Sequence, residues 1–141
     1  MRPSISLTFH VLIAPVLDNT SAAASERRRG VPYVPTLTPD LGSWFRRNFL
    51  PKEEDWNKWD ALILAPNELL RDIPKAWIGA MEVDVLRPEG LAYRVKLKEA
   101  GVDVETVVFK GAPHDIVALT SKRFAFRDLE LMISFLYGVL F

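Results

Sequence analysis

Apolar residues run almost without a break over positions 7–14, a stretch one strand long. A continuous run of this kind marks a parallel strand covered on both faces, and the β-favouring Phe9, Val11 and Ile13 within it strengthen the reading; it predicts a central strand. From Pro15 to Pro39 the chain turns to Asp, Asn, Ser, small residues and several prolines, which predicts a long loop of the kind that often carries function. Pro39 and Asp40 then open a segment in which Leu41, Trp44, Phe45 and Phe49 recur at helical spacing before Pro51, predicting a short amphipathic helix. Residues 52–72 mix acids, Trp56, Trp59 and prolines and predict an irregular packed loop. A short buried strand is expected over 76–80. A helix over 86–100, with apolar Leu86, Leu91, Val95 and Leu97, is stopped by Gly101. The alternation over 102–109 predicts a further strand with one face more polar. Phe126, Leu129, Ile133, Leu136 and Leu140 space out a terminal helix over about 123–140 that would cover the sheet.

Strands alternating with helices imply βαβ units and a parallel sheet joined by right-handed crossovers. The expected class is therefore α/β, with about three mainly parallel strands and flanking helices. In such sheets ligands bind at the carboxyl ends of the strands.

Composition narrows the partners. A chain of 141 residues, 49% hydrophobic and 26% charged, is the size of one domain. Eighteen Lys plus Arg balance eighteen Asp plus Glu, so no basic field points to nucleic acid or an anionic membrane. The absence of cysteine removes thiolate chemistry and suits a reducing, cytoplasmic setting. With His10 and His114 as the two histidines, no metal site or cofactor is expected. Residues 1–24 follow the outline of a signal peptide, with Arg2, an apolar run and Ala22-Ala23-Ala24. Thr8, His10 and Pro15 interrupt that outline and the strand reading is preferred. No segment reaches the ~20 apolar residues of a membrane span. Arg27-Arg28-Arg29 read as a solvated loop, the tryptophans Trp44, Trp56, Trp59 and Trp77 as packing residues, and Glu53-Glu54-Asp55 as too weak a pattern for a carboxylate metal site.

Two positions carry potential chemistry. Asp84 follows the strand over 76–80, and His114 follows the strand that ends at Phe109. If these strands are neighbours, their end loops lie side by side. A carboxylate can then accept the imidazole Nδ1–H and fix its tautomer while Nε2 faces a cleft. Position alone leaves a second reading open, in which Asp84 caps the next helix and His114 is a loop residue.

The surrounding residues add a resemblance. Glu82-Val83-Asp84-Val85-Leu86-Arg87-Pro88-Glu89-Gly90-Leu91-Ala92-Tyr93 is similar to the acid motif of the α/β-hydrolase fold-3, or hormone-sensitive-lipase-like, esterases, roughly G/E-x-D-x-L-x-D-E-G-x-x-Y. Leu97 to Val102 resembles that family's L-x-x-A-G-V, and Val107 to His114 its Y-x-G-x-x-H. Val11 to Asn19 resembles the family strand that continues into Y/V-P-x-x-D. The resemblance runs over most of the chain and implies a carboxylic-ester hydrolase acting on small or medium acyl esters, with Asp84 as triad acid and His114 as base.

The departures carry equal weight. Family members have a nucleophile elbow, G-D-S-A-G-G, preceded by an H-G-G-G-type oxyanion segment. Neither pattern occurs in the 141 residues, and Ser4, Ser6, Ser21, Ser25, Ser43, Ser121 and Ser134 all lack the elbow context. Pro88 replaces the usual acid of D-E-G, and Asp115 follows the histidine where Gly is common. The expectation is an incomplete α/β-hydrolase fold spanning 1–141, without its N-terminal part and inactive alone. It would be a truncated product or mis-called gene start, a non-catalytic remnant or interaction module, or half of a split hydrolase. In such a fragment the outer side of the 7–14 strand is an apolar edge open to self-association or to another chain.

Overall fold

A computed structural model describes residues 7–20, 34–52, 54 and 62–114 of the chain. Within them three strands, β1 (His10–Ile13), β2 (Ala76–Val83) and β3 (Val104–Pro113), form a parallel sheet in the order β1-β2-β3. Helix α1 spans Pro39–Phe49, a 3₁₀ turn covers Leu62–Leu64, α2 is the single turn Asn67–Leu70, and α3 spans Arg87–Glu99. This is the α/β arrangement read from the alternating pattern. The helix anticipated over 123–140 and the residues Arg27–Arg29, Trp56 and Trp59 lie outside the described residues.

The sheet is built around β2. From Ala76 to Met81 every residue is buried, whereas all four residues of β1 are half-buried. The central place expected for the apolar run at 7–14 therefore belongs to β2. An apolar run reports that both faces of a strand are covered, not that both edges are paired, and β1 lies at the edge of the described sheet. Its register sets His10 beside Ala76 and Ile13 beside Gly79. On the other side Ala76 aligns with Val104 and Met81 with Phe109. Both β2 and β3 run several residues beyond the ends predicted for them, because Met81 to Val83 remain laddered to β3.

Alternate residues of β2 serve two faces. Ala76 and Ile78 pack with Tyr93 and Leu97 of α3, together with Leu17, Leu70, Val102 and Val104. Trp77 and Met81 pack with Phe109 and Ala112 on the opposite face, where Trp77 and Phe109 meet edge to face at 6.2 Å. Each fully buried large side chain here contributes about 1.5–3 kcal/mol.

The end of α3 is set by its sequence. The Gly101 N–H bonds to the Lys98 carbonyl and the Val102 N–H to the Leu97 carbonyl, with Gly101 at φ 87°. That is a Schellman stop, and Leu97 and Val102 supply its usual apolar contact. At the other end Pro88 sits in the first turn, where a missing N–H costs no helical bond. The proline that departs from the family pattern is thus compatible with the helix it opens.

Helix α1 forms where predicted, with its polar side turned inward. Thr38 caps it through its hydroxyl, which accepts the Leu41 N–H at 3.2 Å, and Pro39 opens it. Its buried residues are Ser43 and Arg46, while Leu41, Trp44, Phe45 and Phe49 are exposed. The reason is the Arg46 guanidinium, which donates from one nitrogen to the carbonyls of Asn19 at 3.3 Å and Thr20 at 2.8 Å and so draws its own side of the helix inward. Residues 62–73 are also more regular than expected. Elements of three and four residues, such as Leu62–Leu64 and the turn opened by Pro66, are too short to leave a periodicity to read.

Gly79 lies under the Trp77 ring. A Cβ at this position would come within 2.8 Å of two Trp77 ring atoms and 3.1 Å of Phe109. Both rings are rigid and held in the core. The substitution Gly79→Ala is expected to destabilise the fold by about 1–3 kcal/mol, the usual cost of overpacking, read as a lower urea midpoint at unchanged slope.

Candidate active site

The carboxyl ends of β2 and β3 bring Asp84 and His114 together. His114 Nδ1 lies 3.0 Å from Asp84 Oδ2. An ionised carboxylate only accepts hydrogen bonds, so Nδ1 carries the proton and donates it. The Asp84 side chain is buried, 1% exposed, whereas that of His114 is 22% exposed. The other carboxylate oxygen, Oδ1, accepts the Leu86 N–H at 2.9 Å, and the Asp84 carbonyl accepts the Arg87 N–H. Asp84 is not the cap of α3, whose cap residue is Leu86 with no side-chain cap bond. One oxygen shapes the entry to α3 and the other holds the imidazole.

His114 opens onto a cavity of about 660 Å³. Leu37, Leu41, Phe45, Phe49 and Leu86 form much of its wall, with Arg46 and Asn19 as polar neighbours. The apolar stripe of α1 is exposed because it lines this space. Trp44 stands outside the lining and meets Phe45 edge to face at 5.1 Å. Trp77 is a core residue, in agreement with its reading as packing.

Two further acids of the same motif, given no role by the sequence reading, shape the surroundings. Glu89, in the first turn of α3, turns back so that Oε2 accepts the Leu17 N–H at 2.6 Å and the Asp18 N–H at 2.7 Å. This buried carboxylate fixes the segment that follows β1, which supplies Val16 and Asn19 to the cavity wall. The available signal was an acid in the first turn of a helix, where the helix dipole favours it; its partners 71 and 72 residues away leave no trace in local pattern. Glu82, at the end of β2, accepts from Lys110 Nζ at 2.9 Å and from the Gly111 N–H at 2.7 Å. The Lys110 ammonium first, and then the Gly111 amide, hold the Glu82 carboxyl below its usual range.

The second histidine is elsewhere. His10 opens β1, at the opposite end of the sheet from Asp84 and His114, and burial pushes its imidazole below the ordinary histidine pKa. Among the described residues no three His, Asp or Glu side chains gather as metal ligands would. No described helix is long and apolar enough to cross a membrane. Of the serines, Ser43 lies in the described residues, and its hydroxyl donates to the Pro39 carbonyl at 2.9 Å within α1.

Comparison with known proteins agrees with this architecture. Residues 2–118 match the family described as alpha/beta hydrolase fold. An AB hydrolase superfamily protein of Schizosaccharomyces pombe is 33% identical over 115 residues, which cover 80% of this chain and 34% of that protein. An esterase of Rhizomucor miehei superposes with a TM-score of 0.79 at 29% identity, over 95% of this chain and 42% of its own. A thermostable esterase of Pseudomonas putida gives a TM-score of 0.71 at 30% identity, over 86% of this chain and 39% of its own. The chain thus spans about a third of the curated relative's length and about two fifths of the solved esterases.

Removing the Glu89 carboxylate strands two amides. Glu89→Ala is expected to cost about 1–3 kcal/mol in a denaturant titration, with amide exchange at Leu17 and Asp18 accelerated more than in β2. The lowered pKa of His10 means that the unfolded chain binds protons more readily than the folded one as pH falls through and below about 6.5. Stability attributable to this residue is therefore full above that range and declines below it. A His10→Gln variant is expected to show a shallower loss of thermal stability between about pH 7 and 5 than the parent.

Proposed function

Because the chain belongs to the α/β-hydrolase fold-3 esterase family, we propose that His114 and Asp84 are the base and the acid of a serine carboxylic-ester hydrolase. We further propose that these 141 residues hydrolyse nothing until a nucleophilic serine from outside them is brought to His114. The supporting observation is the 3.0 Å hydrogen bond from His114 Nδ1 to a buried carboxylate, at the wall of an apolar cavity.

In this reading the serine hydroxyl attacks the ester carbonyl as His114 Nε2 takes its proton. Asp84 keeps the ring in the tautomer whose Nε2 can accept, and stabilises the imidazolium that forms. The imidazolium then protonates the departing alcohol, leaving an acyl-serine. A water molecule, deprotonated by the same nitrogen, releases the acid and restores the hydroxyl. The oxyanion donors also come from outside the chain, and each is worth roughly 3–4 kcal/mol of transition-state stabilisation. General-base assistance by His114 alone reaches only about 10²–10⁴-fold, which makes the pair ineffective by itself.

The cavity size and its Leu and Phe walls fit a small or medium ester with an apolar acyl or alcohol group. The outer edge of β1 is the natural seat of the serine-bearing segment, whether from a longer polypeptide or from a second chain, since a backbone edge of this kind pairs readily. A chain without cysteine fits a reducing cytoplasm.

The test uses p-nitrophenyl acetate and a fluorophosphonate probe. The 141-residue chain is expected to give neither His114-dependent hydrolysis nor a covalent adduct. Once an in-frame serine-bearing segment precedes it, hydrolysis is expected to appear and to fall roughly 10⁴-fold in kcat with Asp84→Asn. An adduct on the isolated chain that His114→Ala abolishes would refute the proposed inactivity. Full activity of the completed protein carrying His114→Ala would refute the assigned base.

A further inference from the structure

The alignment of Asp84 with His114 does not follow from the ladder. Through most of their length β2 and β3 keep one register, in which Met81 faces Phe109. Continued without interruption, that register would set Val83 beside Gly111 and Asp84 beside Ala112. His114 would then lie two residues farther along, roughly 6.6 Å beyond the carboxylate at ~3.3 Å per residue. Instead Val83 faces Pro113, so that three residues of β3, Lys110, Gly111 and Ala112, stand against the single residue Glu82. The next positions along the two chains are Asp84 and His114.

A bulge of this size takes backbone groups out of the regular ladder, and they need other partners. Gly111 adopts a left-handed conformation, φ 67°, as bulge residues commonly do, and among the described residues, its chain neighbours aside, no atom lies within 4 Å of where its Cβ would be. Its N–H is taken by Glu82 Oε2 at 2.7 Å. The same carboxylate holds Lys110 through Oε1, and the Glu82 carbonyl accepts from the Arg87 guanidinium at 2.6 Å. The residue opposite the bulge is thus the one whose side chain fills it.

Resting on the assignment of His114 and Asp84 above, we propose that Glu82 is a positioning residue for this hydrolase. Its carboxylate accepts the Gly111 amide and maintains the two-residue bulge that brings His114 level with Asp84. Glu82 touches neither substrate nor imidazole. It acts through the path of the backbone from Lys110 to Pro113, and the element that does the work is the accepted hydrogen bond at Gly111, not the exposed ion pair with Lys110.

The low-field proton resonance of an imidazole Nδ1–H held by a carboxylate reports this alignment without requiring hydrolysis. It is to be recorded on the ¹⁵N-labelled 141-residue chain, with the β2 amide shifts as a check on folding. Glu82→Ala, and Glu82→Met, which keeps the side-chain length, are expected to abolish the His114 resonance while the amides of Ala76 to Met81 stay in place. Glu82→Gln, which retains an acceptor oxygen, and Lys110→Ala are expected to keep it. Persistence of the resonance in a folded Glu82→Met chain would overturn the proposal, as would its loss in Glu82→Gln to the extent seen in Glu82→Met. Either result would leave the proposed esterase chemistry standing. A resonance that behaves as expected, in a completed protein whose hydrolysis ignores His114, would overturn that chemistry and leave the role of Glu82.

Discussion

A carboxylate sealed from water must find its donors inside the fold, because an unpaired buried charge costs several kcal/mol. Asp84 is such a group, and its position explains much of what surrounds it. One oxygen takes the Leu86 amide and so fixes how the chain leaves β2 and enters α3. The other takes His114, which ties the end of β3 to the end of β2. The first turn of α3 then carries Glu89 back to the segment after β1. The ends of all three strands are thereby tied together by Asp84 and Glu89.

Much of this fold was legible in the sequence because its signals are local. The strand at 76–80, the helix stop at Gly101 and the presence of a strand after it each depend on neighbours in the chain, and the structure has all three, although that strand begins at Val104 and buries Phe109 while Val108 is exposed. What local pattern could not report was lateral order. The run at 7–14 announced coverage of its faces, while the central position among the three described strands falls to β2. Helix α1 was legible as an amphipathic helix, but not which side it turns inward, because Arg46 reaches carbonyls 26 and 27 residues away while Leu41, Phe45 and Phe49 border a cavity.

The candidate site divides along the same line. Asp84 and His114 were readable as a pair from strand-end position and from the motifs around them, and the structure places them in hydrogen-bond contact. Glu89 and Glu82 were not, although both sit inside those same motifs. Their partners are 71 and 72 residues away in one case and 28 and 29 in the other, and a carboxylate near a helix start or a strand end looks like ordinary surface.

The count of extra residues in β3 has a further consequence. Neighbouring residues on parallel strands point to the same side of a sheet, and successive residues alternate. Because β3 gains two residues opposite Glu82, parity is preserved and the imidazole emerges on the side toward which Asp84 points. An insertion or deletion of one residue between Phe109 and His114 would send the ring through to the far face, while a change of two would only slide it along the strand. With the bulge otherwise unchanged, a slide of two residues is roughly 6.6 Å and carries the ring out of reach of Asp84, so even a change that keeps the side breaks the contact.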